Sequence, residues 1–136
     1  MAEATVERLR AIPLFAGLGE ETLQWIATRC SELDVPEGHT VVQPREPATG
    51  FFVIEDGTVR VELRRKRRDL GPGDFFGELA LLVPGENRSA RVRSTSRVRL
   101  LCIDRASFEQ LVATEPGIGL GLARSLAQRL LHDIPD

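Results

Sequence analysis

Apolar residues in the first part of the chain fall at helical intervals. Val6 and Leu9 share one face, Pro13 interrupts, and Leu23, Ile26, Ala27 and Cys30 resume the spacing. The first thirty residues therefore predict an N-terminal helical cap. From Pro36 to Pro84 the texture changes to short β-like runs punctuated by glycine and proline: Val41 with Val42, Phe51 to Ile54, then Val59, Val61 and Leu63 in alternation. Ala90 with Val92, and Val98, Leu100 and Cys102, continue the alternation against arginine and serine, so the β layer closes near Ile103. Short strands at such close intervals predict a small barrel or sandwich.

After Asp104, a residue type that caps helices, Phe108, Leu111 and Val112 predict a short helix ending before Pro116. A last helix is expected from near Gly117. Its Ile118, Leu122, Leu126 and Leu130 recur every four residues, so one face should pack against the β layer or a partner chain. Glycines 117, 119 and 121 weaken its start, which marks Glu115 to Gly121 as an expected hinge.

Composition narrows the classes. At 136 residues there is room for one core, and 42% hydrophobic with 28% charged residues is ordinary globular usage. The formal charge of −2 supplies no global field for nucleic acid or anionic membrane. Two distant cysteines, Cys30 and Cys102, form neither a disulfide framework nor a zinc motif, and His39 and His132 are too few for a histidine-rich metal site. With no basic-then-apolar leader and no spanning apolar run, the expected location is the cytoplasm, with no membrane partner. Motifs of hydrolases, zinc proteases and P-loop proteins are absent, so the expectation is a binding protein rather than an enzyme. The run Arg64, Arg65, Lys66, Arg67, Arg68 lies between strand-like segments without interleaved aromatics, and reads as a solvated hairpin tip. Trp25, beside Leu23 and Ile26, reads as packing.

Chemistry concentrates in residues 71–90, GPGDFFGELALLVPGENRSA. A glycine turn leads to Gly77, which opens a short expected helix whose free N–H groups favour a phosphate. Arg88 would neutralise that phosphate through two charge-assisted hydrogen bonds, each contributing about 1.5 to 3 kcal/mol. Ser89 adds a hydroxyl and an N–H. A phosphate would repel Glu78, unless the ligand also presents hydroxyl donors as a ribose does. Carboxylate and arginine together indicate a sugar phosphate.

PGDFFGELALL followed by RSA resembles the phosphate-binding cassette of the cyclic nucleotide-binding domain family. It is similar in particular to the catabolite activator protein branch, because five residues separate Leu82 from Arg88 and serine follows the arginine. RAIPLFAGL, EGHTVV, FFVIEDGTVRV and the terminal helices fall in the family's order. The resemblance implies an α+β, mainly β fold, a β-roll or jelly-roll barrel flanked by N-terminal and C-terminal helices. On that scheme 1–136 is a single domain, with 1–34 the helical cap, 35–103 the β-roll carrying the cassette 71–90, and 104–136 the C-terminal helices.

The resemblance also implies a ligand, cyclic AMP ahead of cyclic GMP, with no cofactor. Gly77, Glu78, Leu79, Arg88, Ser89 and Ala90 would hold it, Glu78 taking the ribose 2′-hydroxyl and Arg88, Ser89 and nearby amides the cyclic phosphate. Val61 would touch the base, and binding would move the C-terminal helices. The chain departs from the pattern at Arg45, where glycine is usual, and stops at Asp136, where the family's long helix would cover the base. No helix-turn-helix, kinase or channel segment follows, so the expected output runs through a protein partner or a homodimer at the C-terminal helices, not through direct DNA binding. Two alternatives stay open: a protein-interaction or dimerisation module of this fold with weak or lost nucleotide binding, and nucleic-acid binding through the arginine hairpin.

Overall fold

The computed structural model describes residues 5–42, 50–63, 65–77 and 90–133. Helix α1 (Val6–Arg10) starts at Thr5, whose Oγ1 accepts a hydrogen bond from the Arg8 amide at 3.2 Å. Helix α2 (Glu20–Arg29) opens with Glu20 and Glu21 and closes with Arg29, each charge at the end where the helix dipole favours it. Eight strands follow: β1 (Ser31–Val35), β2 (Thr40–Val42), β3 (Gly50–Asp56), β4 (Val59–Glu62), β5 (Arg67–Leu70), β6 (Phe75–Phe76), β7 (Arg91–Ser94) and β8 (Val98–Asp104). Helices α3 (Arg105–Thr114) and α4 (Pro116–Asp133) complete the chain.

The strands form two antiparallel four-stranded sheets, ordered β1-β8-β3-β6 and β2-β7-β4-β5. One hydrophobic cluster lies between the helices and the first sheet and the other between the two sheets, and strand alternation assigns residues to them. On β3, Phe51 and Val53 join Leu9, Phe15, Ile26, Phe108 and Leu111 in the cluster against the helices. The intervening Phe52 and Ile54 pack instead with Val59, Val92 and Leu100 between the sheets. Three layers result: helices, first sheet, second sheet. This is the mainly β roll with flanking helices that the cassette implied.

Several sequence expectations can be compared element by element. Asp104 caps α3, its carboxylate accepting from the Ser107 amide at 2.7 Å. That hydrogen bond holds the Asp104 carboxyl below the usual carboxylate range. The arginine-rich run spans a β4–β5 hairpin, whose turn is closed by Leu63 N donating to Lys66 O at 2.7 Å. Strand β1, in contrast, has no counterpart in the pattern of Ser-Glu-Leu-Asp-Val, because it is an edge strand with only Val35 buried and Leu33 42% exposed. The stripe on α4 divides: Ile118 and Leu122 are buried, Leu126 is half-buried and Leu130 is 65% exposed. Only the first half of that apolar stripe is fully buried.

A charge cluster ties α1 to the first sheet. The Arg8 guanidinium donates to both Glu55 oxygens on β3, at 2.6 and 2.5 Å, and also to Glu32 on β1. Its hydrogen bonds to the Glu55 and Glu32 carboxylates push the Arg8 pKa upward, above its ordinary value.

Candidate functional site

Of the residues predicted to hold a ligand, Gly77, Ala90 and Val61 fall among the described residues, whereas Glu78, Leu79, Arg88 and Ser89 lie outside them, as does Arg45. The frame around the cassette is fully described on both sides. The turn Gly71 to Asp74 is closed by Asp74 N donating to Gly71 O at 3.0 Å and by Gly71 N donating to the Asp74 carboxylate at 2.9 Å. It is fixed to β3 by a reciprocal pair: Gly73 N to Ile54 O and Ile54 N to Asp74 O, both 2.8 Å. Strand β6 then leads to Gly77, whose φ of 96° lies in the left-handed region that favours glycine. The chain thus turns away from β6 at a residue that a side chain would strain.

Gly77 ends an edge strand of the first sheet, and Ala90 immediately precedes β7, an interior strand of the second. Between Gly77 and Ala90 the cassette therefore leaves one wall of the roll and rejoins the other. Val61 lies on β4 directly opposite Val92 of β7 and Arg68 of β5, and packs on the cluster between the sheets. Register places it two residues from Ala90 across the ladder. Phe52 and Phe76 stack just before Gly77, with ring centres 5.0 Å apart and planes 13° from parallel. These rings stiffen the strand pair that delivers the cassette.

Two arginines meet here: Arg129, which the apolar pattern did not single out, and Arg68, expected on a solvated hairpin tip but half-buried on the inward side of β5. Arg129 of α4 donates to the Phe75 carbonyl at 2.9 Å, and its guanidinium carbon lies 5.0 Å from the Phe75 ring centre. Arg68 of β5 donates to the Arg129 carbonyl at 3.4 Å. The last helix is thus joined to both walls beside the cassette. A signal for Arg129 was available: it stands seven residues after Leu122 and eleven after Ile118, on the inward face of α4. Arg68 alternates with the outward Arg67 and Asp69 and shares its side of β5 with buried Leu70.

Other reactive groups are subdued. Burial pushes the Cys30 thiol up to about 12, with smaller contributions from Cys102 and Glu55, so it stays protonated at neutral pH. Among the described residues no helix is long and apolar enough to cross a membrane.

A two-sheet roll with flanking helices, from which the cassette departs at Gly77 and to which it returns at Ala90, is the fold of the cyclic nucleotide-binding domain class. The family model of the cyclic nucleotide-binding domain matches residues 32–115, and the chain belongs to that family. It is 39% identical over 111 residues to a putative potassium channel protein of Rhodopseudomonas palustris, covering 79% of this chain and 27% of the relative. It is 32% identical over 130 residues to a CRP-like cAMP-activated global transcriptional regulator of Mycobacterium tuberculosis, covering 91% of this chain and 58% of the relative. The catabolite activator protein of Thermus thermophilus superposes with a TM-score of 0.74 at 28% identity, over 89% of this chain and 59% of that one. The chain thus spans well under two thirds of the length of these relatives.

Proposed function

We propose that the chain is a regulatory module that binds a cyclic purine nucleotide, cyclic AMP ahead of cyclic GMP, and catalyses nothing. Glu78 accepts from the ribose 2′-hydroxyl. Arg88 and Ser89, with the amides from Gly77 through Leu79 and at Ala90, hold the cyclic phosphate, while Val61 meets the base. The supporting observation is that the cassette motif, complete in sequence, is anchored at Gly77 and Ala90 on opposite walls beside Val61. The regulator of M. tuberculosis is described as cAMP-activated, which favours the adenine nucleotide.

Residues 1–136 act on this reading as one domain in the cytoplasm, and ligand shifts α4 about the elbow from Glu115 to Gly121. Arg129 is placed to feel the ligand, because its partner Phe75 is two residues from Gly77. Output passes through α4, where Leu120, Leu130 and Leu131 are 52%, 65% and 69% exposed and could be covered by a second copy or a protein partner. The same leucines favour the second reading, an interaction module that does not bind nucleotide.

Calorimetric titration of cyclic AMP and cyclic GMP into the wild type and Arg88→Leu separates the two. Sensing predicts binding by the wild type and a loss of roughly tenfold or more in the variant. A folded wild type giving no heat with either nucleotide leaves only the interaction module.

A further inference from the structure

The outward face of the second sheet is charged in a way the ligand site does not use. Alternation turns Val59, Leu70 and Val92 inward, and sends Arg60 and Glu62 of β4, Arg67 and Asp69 of β5, and Arg91 and Arg93 of β7 the other way. Register aligns these into two cross-strand rows, Asp69–Arg60–Arg93 and Arg67–Glu62–Arg91. Arg65 and Lys66, both exposed, extend the patch at the hairpin tip. Six cationic side chains therefore stand against two carboxylates, in a chain whose net charge is −2.

Local pairing does not account for the arrangement. Arg60 is bound to Asp69 at 2.9 Å, but Arg65, Arg67, Arg91 and Arg93 make no ion pair among the described residues. Arg60 and Arg93 are directly opposite across β4 and β7, a like-charge placement that weakens a sheet. Glu62, flanked in register by Arg67 and Arg91, has a buried carboxylate oxygen that accepts a hydrogen bond from neither. These exposed guanidiniums are free to meet an anionic group from outside the chain.

We infer that this face docks a short acidic segment of a partner protein, its Asp and Glu carboxylates seated on Arg67, Arg91 and Arg93. All but one of the six cations are arginine, whose planar fork matches a carboxylate with two parallel hydrogen bonds. Three strands about 4.8 Å apart make rows only ~10 Å long. A nucleic-acid duplex would run past them onto a net acidic molecule, and the rows carry no aromatic side chain for base stacking. An anionic bilayer would likewise meet only one large exposed apolar side chain among the described residues of the patch, Leu63 at the hairpin tip, 38% exposed.

Fluorescence anisotropy with a labelled oligo-glutamate peptide tests the assignment, using a short DNA duplex and phosphatidylserine vesicles as competitors at the same salt. The expected result is salt-sensitive peptide binding that drops roughly tenfold or more in the Arg67→Glu/Arg93→Glu variant. The Arg67→Lys/Arg93→Lys variant should fall between the two, and both variants should keep the wild-type melting temperature. No peptide binding by the wild type, no change on charge reversal, or tighter binding of duplex or vesicles overturns the inference. So does sedimentation showing that two copies of the chain cover this face. Nucleotide affinity measured on the same variants reports on the sensing function separately.

Discussion

Between the helices and the first sheet, aromatic rings meet one another: Phe51 lies 4.7 Å from Phe108 and 5.5 Å from Phe75, centre to centre. Between the two sheets the filling is mostly valine, leucine and isoleucine, and Val35, Val42 and Leu70 keep 6 to 8% exposure at the rim. The first cluster joins elements far apart in sequence, from Leu9 to Leu122, through side chains that are 0 to 6% exposed. The second fills the space between two facing sheets chiefly with branched aliphatic residues, the stacked Phe52 and Phe76 apart. The difference suggests two tasks: the aromatic layer holds the helices to the first sheet, while the space between the sheets lies next to the two ends of the cassette, where the proposed function puts the base contact.

Mutations should separate the two most clearly in the aromatic layer. Phe108→Ala removes a ring stacked on Phe51 and should lower unfolding free energy by about 3 to 5 kcal/mol, measured by urea denaturation. A loss below about 1 kcal/mol would show that the helices contribute little. Between the sheets, Val61→Ala should leave the melting temperature nearly unchanged and weaken nucleotide binding about fivefold, from the lost apolar contact. A variant that loses stability but binds normally would invert the assignment of tasks.

The junction between the regions should respond more modestly. Asp104→Ala deletes the cap of α3 and should cost about 1 kcal/mol. Because the Asp104 carboxyl is held below the usual range by the Ser107 amide, the charged form is the one the fold stabilises. Its contribution is present above the ordinary carboxylate range and is lost as pH falls through the lowered folded value. Asp104→Asn should retain most of the cap while removing that dependence, which acid titration of both proteins would reveal. Smallest of all, Leu130→Ser should change stability by less than about 0.5 kcal/mol, because the side chain is exposed. If α4 forms the expected homodimer, the same change should shift the sedimentation equilibrium toward monomer.

How far the sequence disclosed these regions follows from how each carries its signal. Strand β8 alternates buried Val98 and Leu100 with exposed Arg99, and α3 shows both its cap and its stripe, so local reading recovered them. The cassette was legible as a motif because its chemistry is contiguous. Strand β1 was not, since an edge strand with one buried residue needs no apolar alternation. Nor was the union of Arg8 with Glu55, partners 47 residues apart whose meeting depends on how α1 lies on the sheet. The contacts of Arg68 and Arg129 required knowing that the β4–β5 hairpin and α4 converge on the same end of the roll.

One further consequence lies in the loop between α1 and α2. A methyl group on Gly73, in the turn that launches the cassette, would sit 3.2 Å from Pro13, and one on Gly121 of α4 would sit 3.1 Å from Leu14. Consecutive residues of a single loop therefore lie against the turn at the start of the cassette and against the last helix. On the proposed function, a displacement of that helix would be felt two residues away at the cassette turn, and a partner that gripped the amino-terminal helices would act on the same connection.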